Sequence, residues 1–232
     1  MRRRYMKVNG RNTSYINDYL TIEALEDDLS VSFSKDVEFS VNGIRWVMLR
    51  ANTSSPSISK GQTISFRANL IPTEYIGVGT FSINKKCNLL GNVLSLIGGN
   101  NLSDYCFYSL FKYCTTIKSV SKNFLPFTKL AVGCYQYMFK GCTSLTTAPD
   151  LPATTLSWKC YEQMFCDCTN LNYIKAMFTT KPSSDYTYGW LSGVASTGTF
   201  VKNPDATWDV VGANGVPKGW TVKFDGEEDG GG

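Results

Sequence analysis

The stretch Cys134-Tyr135-Gln136-Tyr137-Met138-Phe139-Lys140-Gly141-Cys142-Thr143-Ser144-Leu145 recurs 26 residues further on as Cys160-Tyr161-Glu162-Gln163-Met164-Phe165-Cys166-Asp167-Cys168-Thr169-Asn170-Leu171. A looser copy stands 28 residues before it, as Cys106-Phe107-Tyr108-Ser109-Leu110-Phe111-Lys112-Tyr113-Cys114-Thr115-Thr116-Ile117. The linkers match too: Leu125-Pro126 with Thr128 and Leu130 corresponds to Leu151-Pro152 with Thr154 and Leu156. Self-similarity at a period of about 20–50 residues marks a stacked array and outranks local propensity.

Within one unit, Cys134, Met138, Cys142 and Leu145 lie at i, i+4, i+8 and i+11. At about 100° per residue they share one helical face. The spacing predicts a short helix in each repeat, followed by an extended piece such as Leu145 to Ala148. One unit cannot bury its stripe alone, whereas a stack buries it continuously. Residues 86–198 are therefore expected to form a short leucine-rich-repeat solenoid of about three repeats.

Upstream the grammar changes to a period of two. Tyr19–Ala24, Leu29–Ser34, Val37–Val41, Ile44–Leu49, Thr63–Ala68 and Gly77–Ile83 alternate or carry strand-forming residues. Asn42-Gly43 between two such runs is a strong hairpin signal. Short strands between frequent turns predict an antiparallel β-sandwich over residues 15–85. Residues 199–224 read as a β cap, with strands at Thr199–Lys202 and Trp220–Phe224. The expected class is thus α+β: an N-terminal antiparallel β-sandwich, a short solenoid and a β cap. Residues 1–14 form a basic arm, and 225–232, acidic and Gly-rich, are expected to be disordered.

The chain has 232 residues, 43% hydrophobic and 18% charged, with 23 Lys+Arg against 19 Asp+Glu. A net charge of +4 with no clustered basic face predicts no nucleic-acid partner. The chain has no histidine. That excludes Ser-His-Asp and Cys-His catalysis and zinc sites with a histidine ligand. Gly77-x-Gly79 lacks the rest of a dinucleotide fingerprint, and a carbohydrate-active enzyme has only scattered Asp and Glu behind it. No cofactor and no metal are expected. Of eight cysteines, six occupy two fixed positions of the repeat, where free cysteine acts as a small buried hydrophobe. Disulfides or a metal remain the alternative, with Cys166-Asp167-Cys168 as the only local pair.

No apolar run of export-signal or membrane-spanning length follows the basic start. Arg2, Arg3, Arg4, Lys7 and Arg11 read either as a solvated arm or as an assembly arm docking on a partner.

The Cys-Tyr-x-x-Met-Phe-x-x-Cys-Thr-x-Leu unit, with its Ala-Pro-Asp-Leu-Pro-Ala-Thr-Thr-Leu linker (148–156), resembles the BspA-like leucine-rich repeats. The resemblance spans roughly Phe81 to Phe224. Such repeats occur in surface proteins of gut anaerobes and in structural proteins of their phages, so it implies adhesion. The missing leader and short array favour a non-enzymatic virion part, a head or tail fibre or decoration, assembled in the host cytoplasm. A bacterial surface adhesin is the alternative. Partners would be other virion proteins, through the arm or the β-sandwich, and a surface protein or glycan, through the repeats. A homo-oligomer such as a trimer is compatible.

Positions beside the apolar stripe vary between repeats, which nominates Gln136, Lys140 and Glu162 as ligand contacts. Trp158 enters the third repeat from its linker. Tyr186, Tyr188 and Trp190 cluster in a polar loop, and loop aromatics serve as stacking platforms. The alternative for these three is packing of the cap. Tyr135 and Tyr161, which recur beside the core cysteine, read as structural.

Overall fold

The computed structural model describes residues 18–227. They are β-rich with little helix: eleven strands, two 3-10 turns (Val93–Leu96 and Lys122–Phe124) and one four-residue α-helix, α1 (Ser184–Thr187). Arg2, Arg3, Arg4, Lys7 and Arg11 lie outside the described residues.

The strands are β1 (Leu20–Ala24), β2 (Val31–Phe33), β3 (Val37–Val41), β4 (Trp46–Leu49), β5 (Thr63–Arg67) and β6 (Phe81–Ile83). They continue with β7 (Cys87–Leu90), β8 (Ile117–Val120), β9 (Tyr173–Ala176), β10 (Thr199–Lys202) and β11 (Thr221–Phe224). Alternation does what it predicts: β1 buries Leu20, Ile22 and Ala24, and β5 buries Ile64 and Phe66. Asn42 and Gly43 have φ of 52° and 71° and join β3 to β4. Positive φ at both central residues matches the right-handed strand twist, which is why Asn-Gly suits this turn.

Strands β4, β3, β5, β1 and β7 form an antiparallel sheet in that order. The β2–β6 pair forms a second layer, and Phe66 of β5 meets Phe81 of β6 at 5.1 Å. At β7 the sheet changes character. Its free edge pairs parallel with β8, Thr147 bridges Ser119 and Tyr173, and β9, β10 and β11 continue in parallel. The last two strands thus extend the ladder of the repeats.

The expected repeat helices are absent from the described residues. In their place, each repeat runs as a chain of tight turns. Every fourth residue is left-handed: Tyr105, Ser109 and Tyr113, then Gly133, Tyr137 and Gly141, then Lys159, Gln163 and Asp167, with φ between 46° and 73°. Main-chain N–H groups alternate in their partners. Those of Gln136, Met138 and Lys140 donate three residues back, inside the coil. Those of Tyr135, Tyr137 and Phe139 donate to Cys160, Glu162 and Met164 of the next coil. The pattern repeats from the first coil to the second and from the third to a fourth at 185–193, through Tyr161 to Tyr186 and Phe165 to Trp190. Beyond its first turn an α-helix spends its N–H groups internally and leaves none for a neighbour. This coil satisfies half of them across the stack, so stacking and main-chain hydrogen bonding are one event.

Side chains turned inward form two ladders. Phe81, Phe111, Phe139 and Phe165 stack at 5.1, 5.5 and 5.6 Å, within 8° of parallel. Phe107, Tyr135, Tyr161 and Trp190 stack at 6.0 Å each. Beside the first ladder, the thiols of Cys114, Cys142 and Cys168 donate to the carbonyls of Phe81, Phe111 and Phe139 at 3.2, 3.2 and 3.0 Å. All eight cysteines are free and buried. Asp225 and Glu227, expected in a disordered tail, are held: Asp225 pairs with Lys175 at 2.6 Å, and Glu227 accepts from the Phe224 N–H. The remainder of that tail lies outside the described residues.

Candidate functional site

Two of every four residues in a turn coil point away from the ladders, and successive coils place these in register. On this flank Tyr108 of the first coil meets Tyr137 of the second edge-to-face, at 5.4 Å. The Lys112 ammonium lies 5.2 Å from the rings of both Tyr113 and Tyr137. Lys140 approaches Tyr137 at 5.7 Å, and its ammonium donates to Gln163 Oε1 of the third coil. The Tyr137 hydroxyl donates to Glu162 Oε1 at 2.9 Å, and Lys159 pairs with Glu162 at 3.5 Å. Lys159 also lies 4.6 Å from the Trp158 ring. Upstream, Tyr75 continues the contacts through Tyr105 and Tyr108.

The result is a band of tyrosine, lysine and tryptophan crossing three coils. Tyr113 is 62% exposed and Trp158 47%. The Lys112, Lys140 and Lys159 ammonium groups lie along it, with the Glu162 carboxylate between Tyr137 and Lys159. Burial, and then the hydrogen bond to the Glu162 carboxylate, push the Tyr137 hydroxyl up to about 12. It stays a donor at neutral pH and locks the second coil to the third.

The nominated residues divide. Lys140, Trp158 and Glu162 enter this one band. Glu162 is nonetheless buried and acts as the clamp for Tyr137 and Lys159, not as an open contact. Gln136 is buried, with Oε1 unpartnered among the described residues. It is no surface residue, although its position corresponds to those of Tyr108 and Glu162 in the flanking coils. Trp190 is fully buried, stacked on Tyr161, with its indole N–H on the Gly215 carbonyl. The loop expected around it is the fourth coil, whose Gly189 and Gly193 occupy the left-handed positions. Tyr186 packs partly buried against the core, and Tyr188 is 54% exposed. Tyr137 and Tyr75 were not nominated. The four-residue period, carried through with two residues in and two out, places Tyr137 outward; Tyr75 has no sequence signal.

The thiols are poor nucleophiles. Burial pushes Cys106 and Cys166 up to about 11, and Cys114 and Cys160 up to about 12. Among the described residues no helix is long and apolar enough to cross a membrane, and no three His, Cys, Asp or Glu converge to hold a metal. The chain matches no family model, no curated protein and no solved structure.

Proposed function

We propose that the chain is a non-enzymatic virion structural protein, a head or tail fibre or decoration, whose repeats bind a cell-surface receptor. In this reading the array is a short solenoid of BspA-like leucine-rich repeats, covered at its N-terminal end by a small β-sandwich. The band from Tyr108 to Trp158 is the contact surface. The observation that carries the reading is that its side chains are tied to each other across coils. Tyrosine, tryptophan and lysine held in place lose little conformational freedom on binding, which is what a contact surface needs. The basic start is assigned to attachment on the particle.

The experiment has two readouts. Mass spectrometry of purified particles should find the chain in virions of a phage whose genome encodes it. Labelled protein should bind the host cells, and Lys112→Ala with Tyr137→Ala should reduce that binding at least fivefold while leaving the melting temperature above that of binding. Absence from virions overturns the virion assignment, and undiminished binding overturns the band.

A further inference from the structure

We propose a second ligand site, for an oligosaccharide, in the groove where the linkers of the first and second repeats face the segment before the first repeat. This groove has a volume of about 790 Å³ and shares no residue with the band. That volume lies within the about 300–1,000 Å³ of small-molecule sites. Its floor is apolar: Leu125 is buried, and Phe127 is held against Phe107 at 6.3 Å. Its walls carry the Asn101 and Asn123 amides, the Asp150 carboxylate and the Lys122 and Lys129 ammonium groups.

These polar groups have their hydrogen-bonding capacity unspent. Among the described residues nothing hydrogen-bonds the side chains of Asn101, Asn123 or Asp150. Asp150 is only partly exposed, and burial raises its carboxyl from its ordinary value against the pull of Lys175 and Lys122. A half-buried carboxylate without donors, beside amides that both donate and accept, is complementary to adjacent hydroxyl groups. An aromatic floor is complementary to the C–H face of a sugar ring. The lining residues lie in loops and the two 3-10 turns, with no strand edge among them. A peptide bound by main-chain pairing would need such an edge.

The test applies the full chain to an array of immobilised oligosaccharides of two to four rings, neutral, uronate-bearing and sialate-bearing, with immobilised random peptides alongside. Retention on a subset of the glycans is expected. The best retained glycan is then titrated against variants. Asp150→Ala and Phe127→Ala should each weaken it at least tenfold, with unchanged circular dichroism, while Ile44→Ala, at an exposed position outside both the groove and the band, binds as the wild type does. If Phe127→Ala fails to fold, Asn123→Ala replaces it with the same expectation. Retention of no glycan, retention on peptides alone, or Asp150→Ala binding within twofold of the wild type overturns the site. Loss of binding in Tyr137→Ala but not in Asp150→Ala assigns the glycan to the band instead, and also overturns it.

Discussion

The thiol of Cys142 donates to the main-chain carbonyl of Phe111 in the preceding coil, 3.2 Å away. The same bond joins Cys168 to Phe139 and Cys114 to Phe81. Cysteine recurs here because it fills a small apolar space and also adds a second hydrogen bond to a carbonyl that already accepts a main-chain N–H, that of Cys114 at Phe111 and that of Cys142 at Phe139. Cys142→Ala removes both, and should lower stability by about 2–3 kcal/mol, read from denaturant midpoints. Cys142→Ser keeps a donor and should cost less than alanine; the reverse order would mean that the thiol contributes only by packing.

Free thiols held above their ordinary range make stability pH-dependent. Folding raises Cys106 to about 11 and Cys160 to about 12, mainly by burial. The folded state therefore binds these protons more tightly than the unfolded chain does. Their contribution is fully present below the unfolded thiol value of about 8.5 and is lost as pH rises through the folded values. Melting temperature should fall steadily from about pH 8.5 upward. Thiolate absorbance should appear with unfolding and not before it.

Tyr135 and Tyr161 are buried, with hydroxyls that have no partner among the described residues. Tyr135→Phe keeps the ring in its ladder and removes a desolvated hydroxyl. It should be neutral or stabilising by about 1 kcal/mol. A loss of more than that in thermal melts would show that the hydroxyl is hydrogen-bonded in solution.

Gly133 opens the second coil at φ 56°, and a Cβ there would sit 2.5 Å from the buried Tyr105 ring. Gly133→Ala meets both the left-handed penalty and that collision. It should cost about 2 kcal/mol or more by chemical denaturation. Gln163→Gly relieves a left-handed non-glycine residue at φ 46° but loses the Lys140 contact, so the two changes should differ in stability by well over 1 kcal/mol.

Trp190 separates packing from binding. Trp190→Ala should cost about 3–5 kcal/mol, because the indole closes the second ladder and caps the Gly215 carbonyl. Tyr188→Ala, at an exposed neighbour, should change stability by less than about 0.5 kcal/mol. Equal effects in a urea titration would contradict the burial of Trp190.

The repeat, its length and its inward positions were legible in the sequence. Cys134, Met138 and Cys142 of the second unit, with their counterparts in the third, are buried as their recurrence predicts. The N-terminal strands and the Asn42-Gly43 hairpin were legible for the same reason, since period and turn chemistry are local. The fourth coil was not, because Trp190 and Thr187 replace the methionine and tyrosine that mark the second and third units.

The conformation of the repeat was decided only in three dimensions. An apolar spacing of four fits a helical stripe, with a drift of about 40° per step, and fits a coil of four-residue turns equally well. What separates them is where the main-chain N–H groups find acceptors. For Phe107 and Tyr135 those acceptors are Cys134 and Cys160 of the following coil, 27 and 25 residues away. No local window contains them. The sequence by itself determined that units repeat and which side chains face inward. The stacked neighbour supplied the acceptors that make a turn coil complete, and with it the register that brings Lys112, Tyr137, Lys140 and Glu162 onto one flank.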